Sequence, residues 1–131
     1  DIRYLRDIAR RTWHFFDTVV GADDNGLPPD NLQIYPANGP AHRTSPTNIG
    51  LYLAAILAAD DFGYLATTEA FARITLTVDT LEKLPRWHGH FYNWYDTQTL
   101  QSLPPEYVST VDSGNLVAYL ITVKQGLGEF F

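Results

Sequence analysis

The sequence predicts an all-α fold of antiparallel helical hairpins, with long loops and room for one short β-hairpin. Three observations lead there. Apolar residues recur every three or four positions over residues 2–20 and again over 71–84. Between them, residues 47–60 are apolar nearly all round, as an inner helix packed on several neighbours would be. Each of these segments is bounded by helix-start or helix-stop chemistry.

Composition bounds the function before any motif is read. The chain has 131 residues, enough for one domain and one modest core. At 45% hydrophobic and 18% charged residues it has the composition of a globular protein. The net charge is −6 and the pI about 4.9, and no basic cluster exceeds Arg10-Arg11, which argues against a nucleic-acid partner. Cysteine is absent, which excludes disulfides and thiolate metal sites and leaves the compartment open. No apolar run approaches the ~20 residues that span a bilayer, and no signal peptide is evident. The lack of Met, with an opening Asp1-Ile2-Arg3 that already reads as helix, predicts a piece of a longer protein.

In the first helix, Ile2, Leu5, Ala9, Trp13, Phe16 and Val20 form the apolar face, with Arg3, Arg6, Asp7 and Arg10 largely opposite. Gly21 is the expected stop, and Trp13 is expected in the core. Residues 22–44 show no period, hold turn chemistry in D-D-N-G and P-P-D-N, and form a loop long enough to suggest function. Asp30, Asn31 and Gln33 could meet a ligand there, or Asp30 and Asn31 could simply bond their own turn.

Ser45-Pro46 opens the second helix as N-cap and first helical residue. At that start gather His42, Arg43, Thr44, Thr47 and Asn48, beside free N–H groups and the positive dipole end. Arg43 could grip a ligand's oxygens or pair with an acid of the preceding loop. Phe62-Gly63 closes this helix, Thr67 is the expected cap of the next, and Pro85 ends that one.

Residues 86–96, R-W-H-G-H-F-Y-N-W-Y-D, alternate flat rings with hydrogen-bonding groups, as a sugar-binding surface would. A packed connection plugging a core edge is the plainer reading. The alternation through Tyr92, Trp94 and Asp96 suggests a hairpin running to Gln98. A last helix is expected over 116–127, with Asp112 either its N-cap or a carboxylate aimed into a site, and Gly114 leaving room for close approach. His88-x-His90 lacks a third ligand at metal-binding spacing, so no metal or other cofactor is expected. Helix starts and loops bearing Asp, Asn, Arg and aromatics, set on paired helices, suit an α/α toroid with a carbohydrate pocket at one end.

Four runs carry a more specific signal: L-P-P-D-N (27–31), A-H-R-T-S-P-T-N-I-G-L-Y-L (41–53), G-H-F-Y-N-W-Y-D-T (89–97) and Y-V-S-T-V-D-S-G-N-L (107–116). In this order they resemble the cyclic β-1,2-glucan synthase family, and within it the central glycoamylase-like region, over residues 15–124. Ile34 departs from the family pattern, which has an acid at that place. The resemblance implies the N-terminal part of an (α/α)6 barrel in a domain that closes β-1,2-glucan into rings by transglycosylation. It also implies a soluble domain of an inner-membrane parent, on the cytoplasmic side. A chain of 131 residues cannot complete six helical hairpins, so residues 1–131 are expected to be one piece of that domain, inactive alone and prone to self-association. Its partners would be β-1,2-glucan and the rest of the parent polypeptide.

Retaining transglycosylation needs two carboxylates about 5–5.5 Å apart. The resemblance places the principal pair beyond Phe131, leaving Asp30 and Asp112 as weak catalytic candidates better read as substrate-positioning. The expected substrate-binding set is Asp30, Asn31, Arg43, Thr44, Asn48, His90, Tyr92, Asn93, Trp94, Tyr95 and Asp112. A non-catalytic carbohydrate-binding module and a helical protein-interaction domain are the alternatives.

Overall fold

The computed structural model describes residues 1–129, of which 57% are helical. Four helices carry the fold: α1 (Ile2–Val19), α2 (Pro46–Asp61), α3 (Thr67–Lys83) and α4 (Thr110–Gly128). Six two-residue strands lie in the loops: β1 (Leu32–Gln33), β2 (Gly39–Pro40), β3 (Arg43–Thr44), β4 (Arg86–Trp87), β5 (His90–Phe91) and β6 (Tyr95–Asp96). They pair antiparallel as β1–β2, β3–β6 and β4–β5. Among the described residues no helix is long and apolar enough to cross a membrane.

The contacts fix the helix directions. The Phe16 and Tyr52 rings lie 5.5 Å apart, while the Tyr64 hydroxyl donates to the Arg6 carbonyl, so α1 runs antiparallel to α2. Between α2 and α4, Thr47 meets Asn115, Gly50 meets Tyr119 and Leu57 meets Gly126. That constant offset makes α2 and α4 parallel neighbours with their N-termini at the same end. Leu53 and Ile56 of α2 are fully buried, with Phe16, Ile74 and Leu116 of the other three helices in the same core. Fully burying side chains like these contributes about 2 kcal/mol each. The expected inner helix is therefore present, except that its Leu51 edge is open. There α1 and α2 flank an apolar groove of about 630 Å³, lined in part by Trp13, Phe16, Leu51, Ala55 and Phe62.

Several boundaries differ from the sequence reading. α1 does end just before Gly21, the expected stop, which is extended; the differences lie further on. α2 ends as expected, and by a defined device: Gly63 adopts φ +74°, and the Gly63 and Tyr64 N–H groups return to the Asp60 and Ala59 carbonyls. That paired closure turns the chain back at once into α3. Thr67 does not cap α3; Ala66 holds that position, and the Thr67 hydroxyl instead donates to Asp60 at 2.8 Å. The expected hairpin to Gln98 is displaced, because residues 86–91 form the hairpin through His88 and Gly89, both at positive φ. β6 pairs instead with β3, across more than fifty residues.

α4 starts six residues before the expected 116. Ser109 is its N-cap and accepts from the Asp112 N–H at 3.2 Å, so Asp112 lies in the first turn and is not the cap. The serine competes better for that position because it precedes the first helical N–H groups. Gly114 is then a helix-interior residue, with nothing within 4 Å of where a Cβ would stand.

Tyr95 shows how the loops are anchored. Its ring is fully buried, and its hydroxyl donates to the Pro85 carbonyl at 2.8 Å and accepts from the Tyr92 N–H at 2.7 Å. Burial pushes this phenol up from 10.0 to about 12. A phenol harder to ionise in the fold than in the unfolded chain contributes stability that is intact below pH 10 and is lost as pH rises toward 12. Tyr95→Phe orphans both backbone groups and is expected to lose about 2 kcal/mol in urea unfolding at neutral pH. It should also flatten the fall in stability over that alkaline window. An unchanged midpoint would contradict this anchoring.

Candidate functional site

The site forms where the parallel helices α2 and α4 begin. Ser45 and Ser109 cap them, and Asn115 of α4 donates to the Thr47 hydroxyl of α2 at 3.1 Å. The two dipole ends and their free N–H groups thus lie side by side, a region favourable to electronegative atoms. Two loops cover this end, and the β3–β6 pairing lays one against the other.

The pairing sorts the residues by face. Thr44 stands opposite Tyr95, and both are fully buried; Arg43 and Asp96 are the neighbouring pair, and Arg43 is exposed. Successive strand residues point to opposite faces, so a ligand that meets Arg43 cannot meet Thr44. Thr44 and Tyr95 are accordingly core residues, a correction to the expected substrate-binding set. The alternation of rings in this stretch was real, but one of its faces is turned inward.

The remaining residues form a continuous chain of contacts. Asp30 accepts from Asn48 at 3.0 Å on one oxygen, and from Asn31 at 3.2 Å and Arg43 at 3.4 Å on the other. The Asp30 N–H donates to the Arg43 carbonyl at 2.8 Å, which fixes the approach of the loop. Arg43 lies over the Trp94 ring, 5.1 Å from its centroid. With the Asn93 amide turned so that its oxygen faces the donors and its nitrogen the acceptor around it, the Trp94 indole N–H and the Tyr107 hydroxyl donate to its oxygen at 2.9 Å, and its nitrogen donates to Asp112 at 2.9 Å. Asp30, Arg43, Trp94, Asn93 and Asp112 are thereby linked, although they come from three separate stretches. Arg43 thus pairs with an acid of the preceding loop, one of the two readings of it, and also lies over an aromatic ring.

Two expected residues lie beside this line. His90 is exposed on β5, opposite Trp87, with ring centroids 6.4 Å apart. Tyr92 is half-buried, its ring edge-on to Tyr95 at 6.3 Å.

Two groups were missed. Tyr107 was visible only inside a longer run and had no role assigned. Asp24, nearly buried, accepts from His42 at 2.7 Å and from the buried Thr97 hydroxyl at 2.6 Å. In the sequence it belongs to D-D-N-G, which reads as a turn, and nothing local distinguishes it from Asp23.

The arrangement can present flat rings, a guanidinium and amides to a neutral polyhydroxylated ligand, and holds two carboxylates already engaged by neighbouring side chains. Comparison with known proteins places the chain among relatives. A family model described as a protein of unknown function (DUF3131) matches residues 7–125. The chain belongs to this family. Over 129 residues it is 48% identical to the cyclic beta-(1,2)-glucan synthase NdvB of Rhizobium meliloti (strain 1021). That alignment takes in 98% of this chain and 5% of the synthase. A glucoamylase-like crystal structure from Bacteroides fragilis NCTC 9343 superposes with a TM-score of 0.74 at 27% identity, covering 88% of this chain and 29% of the other. Both sides of the expected resemblance, to cyclic glucan synthases and to glucoamylase-like proteins, are thus found. The helical arrangement fits a toroid of the glucoamylase-like kind.

Proposed function

We propose that this chain forms one wall of the β-1,2-glucan-binding groove in a domain that cyclises the glucan by transglycosylation. Its four helices are the first members of an (α/α)6 barrel, with α2 and α4 inner and parallel and α1 and α3 outer. The observation that carries the reading is the linked Asp30–Arg43–Trp94–Asn93–Asp112 line across two helix N-termini. Support comes also from the 48% identity to a cyclic glucan synthase and from the likeness to a glucoamylase-like protein three times longer than the matched part. The open apolar groove between α1 and α2 is where further hairpins of the barrel would pack, and in their absence it favours self-association.

In this reading Arg43, Asn48 and Asn31 take sugar hydroxyls, Trp94 covers a C–H face, and Asp30 and Asp112 hold those groups in place. Asp30 has donors on both oxygens, an arrangement that suits positioning better than attack on an anomeric carbon. The carboxylate pair of a retaining mechanism belongs to another part of the domain, and the chain by itself should show no turnover. The domain is a soluble part of an inner-membrane parent, on its cytoplasmic side.

Titration with linear β-1,2-glucan, followed by tryptophan fluorescence and by calorimetry, tests the binding. Trp94→Ala is expected to weaken the calorimetric affinity more than about tenfold while leaving helix content unchanged. No response from the parent chain would favour the interaction-domain alternative. Detectable cyclic or shortened product from the chain alone would overturn its assignment as a non-catalytic wall.

A further inference from the structure

A second cleft, of about 380 Å³, opens beside the site between the 86–91 hairpin and the segment that leads into α4. Trp87, Tyr92 and Tyr107 supply its rings, and Glu106 and Val108 complete it. None of Trp87, Glu106 and Tyr107 belongs to the expected binding set. Their placement is specific. The two hairpin residues His88 and Gly89 stand at φ +46° and +84°, the geometry of a tight two-residue turn, and His88 bears that strain without being glycine. The turn holds Trp87 half-exposed, its ring perpendicular to that of His88 with centroids 4.5 Å apart. Across the cleft, the Tyr107 ring faces the same space while its hydroxyl donates to Asn93. Tyr107 is therefore common to the cleft and to the Arg43–Trp94 line.

We propose that this cleft is an outer subsite for one pyranose of the same glucan, stacked on Trp87 and bounded by Tyr107. Glu106, exposed and already accepting from the Ser102 hydroxyl, offers its remaining lone pairs to sugar hydroxyls. The inference rests on the glucan-groove reading, because continuity through Tyr107 is what makes the cleft an extension of that groove. Its volume falls in the ordinary range of small-ligand sites, and its mixture of ring faces with one acceptor suits a neutral sugar.

The test is calorimetry with linear β-1,2-gluco-oligosaccharides of graded length against the chain and four variants. Oligosaccharides long enough to reach both places should bind Trp87→Ala about tenfold more weakly than the parent, whereas the shortest that bind should be unaffected. Trp87→Phe keeps a stacking face and should recover most of the loss, which separates stacking from any disturbance of the hairpin. Glu106→Gln, which retains an acceptor, should bind within about threefold of the parent. Trp87→Ala indistinguishable from the parent at every length, with Trp94→Ala still impaired, removes the subsite and leaves the groove reading intact. Failure of any oligosaccharide to bind the parent overturns both. An aromatic cluster with a carboxylate could also cage an organic cation. Binding of tetramethylammonium that Glu106→Gln abolishes would therefore replace the sugar assignment.

Discussion

Replacing Gly50 by Val is expected to lower the melting temperature by about 10 °C or more, the largest effect of any single change outside the core's big side chains. A Cβ at Gly50 would stand 2.5 Å from Cδ2 of Tyr119 and 2.9 Å from its Cβ. The Cβ is tied to the α4 backbone, so rotation of the tyrosine ring cannot relieve the clash. The helices must separate. The second close approach, Gly126 against Leu57, behaves differently: the nearest atom, at 2.7 Å, is the methyl end of a leucine that can swing aside. Gly126→Ala should therefore stay within about 1 kcal/mol of the parent, its better helix propensity offsetting a mild repacking. Thermal circular dichroism of the two variants distinguishes them. Equal melting temperatures would mean that α2 and α4 are not held at the distance described. Separation at Gly50 should reach the site too, since the Asn115–Thr47 bond bridges the same two helix ends and Asp112, in the first turn of α4, is bonded to Asn93 of the aromatic loop.

Much of this was legible in the residues because helices announce themselves locally. Periodicity located α1 and α3, and Ser45-Pro46 located the start of α2 to the residue. The Ser109 cap was equally available, but Asp112 and Gly114 imitate a helix boundary, and that concealed six residues of α4. What sequence could not supply was pairing across long separations. β3 and β6 are two residues each, too short to show an alternation of their own, and their partnership joins positions 43 and 96. That one pairing turned Thr44 and Tyr95 inward and brought Arg43 onto Trp94. Residue type therefore identified the site's chemistry, while tertiary register decided which side chains can use it.

The same logic makes Asp24→Ala the second most damaging change expected, though it is not among the groups proposed to touch a ligand. One oxygen of Asp24 receives both His42 and Thr97, the Thr97 N–H returns to the His42 carbonyl at 3.0 Å, and Asn25 donates to the Thr97 carbonyl at 2.8 Å. Together these bonds staple the long 22–44 loop to the segment after β6, directly beside the β3–β6 pair. Alanine would leave the buried Thr97 hydroxyl without its acceptor and free His42, at a cost of about 3 kcal/mol. Asn at this position retains the acceptor oxygen and should cost about 1 kcal/mol. Urea unfolding followed by circular dichroism ranks the two. If the staple is what holds Arg43 over Trp94, Asp24→Ala should also shift tryptophan emission to the red in the still-folded protein, and weaken β-1,2-glucan binding without altering any group proposed to touch it. Loss of stability with emission and affinity unchanged would assign Asp24 to the fold alone. Because the staple joins the site on both sides, through His42 to Arg43 and through Thr97 back to Trp94, restoring the acceptor should restore both signals together.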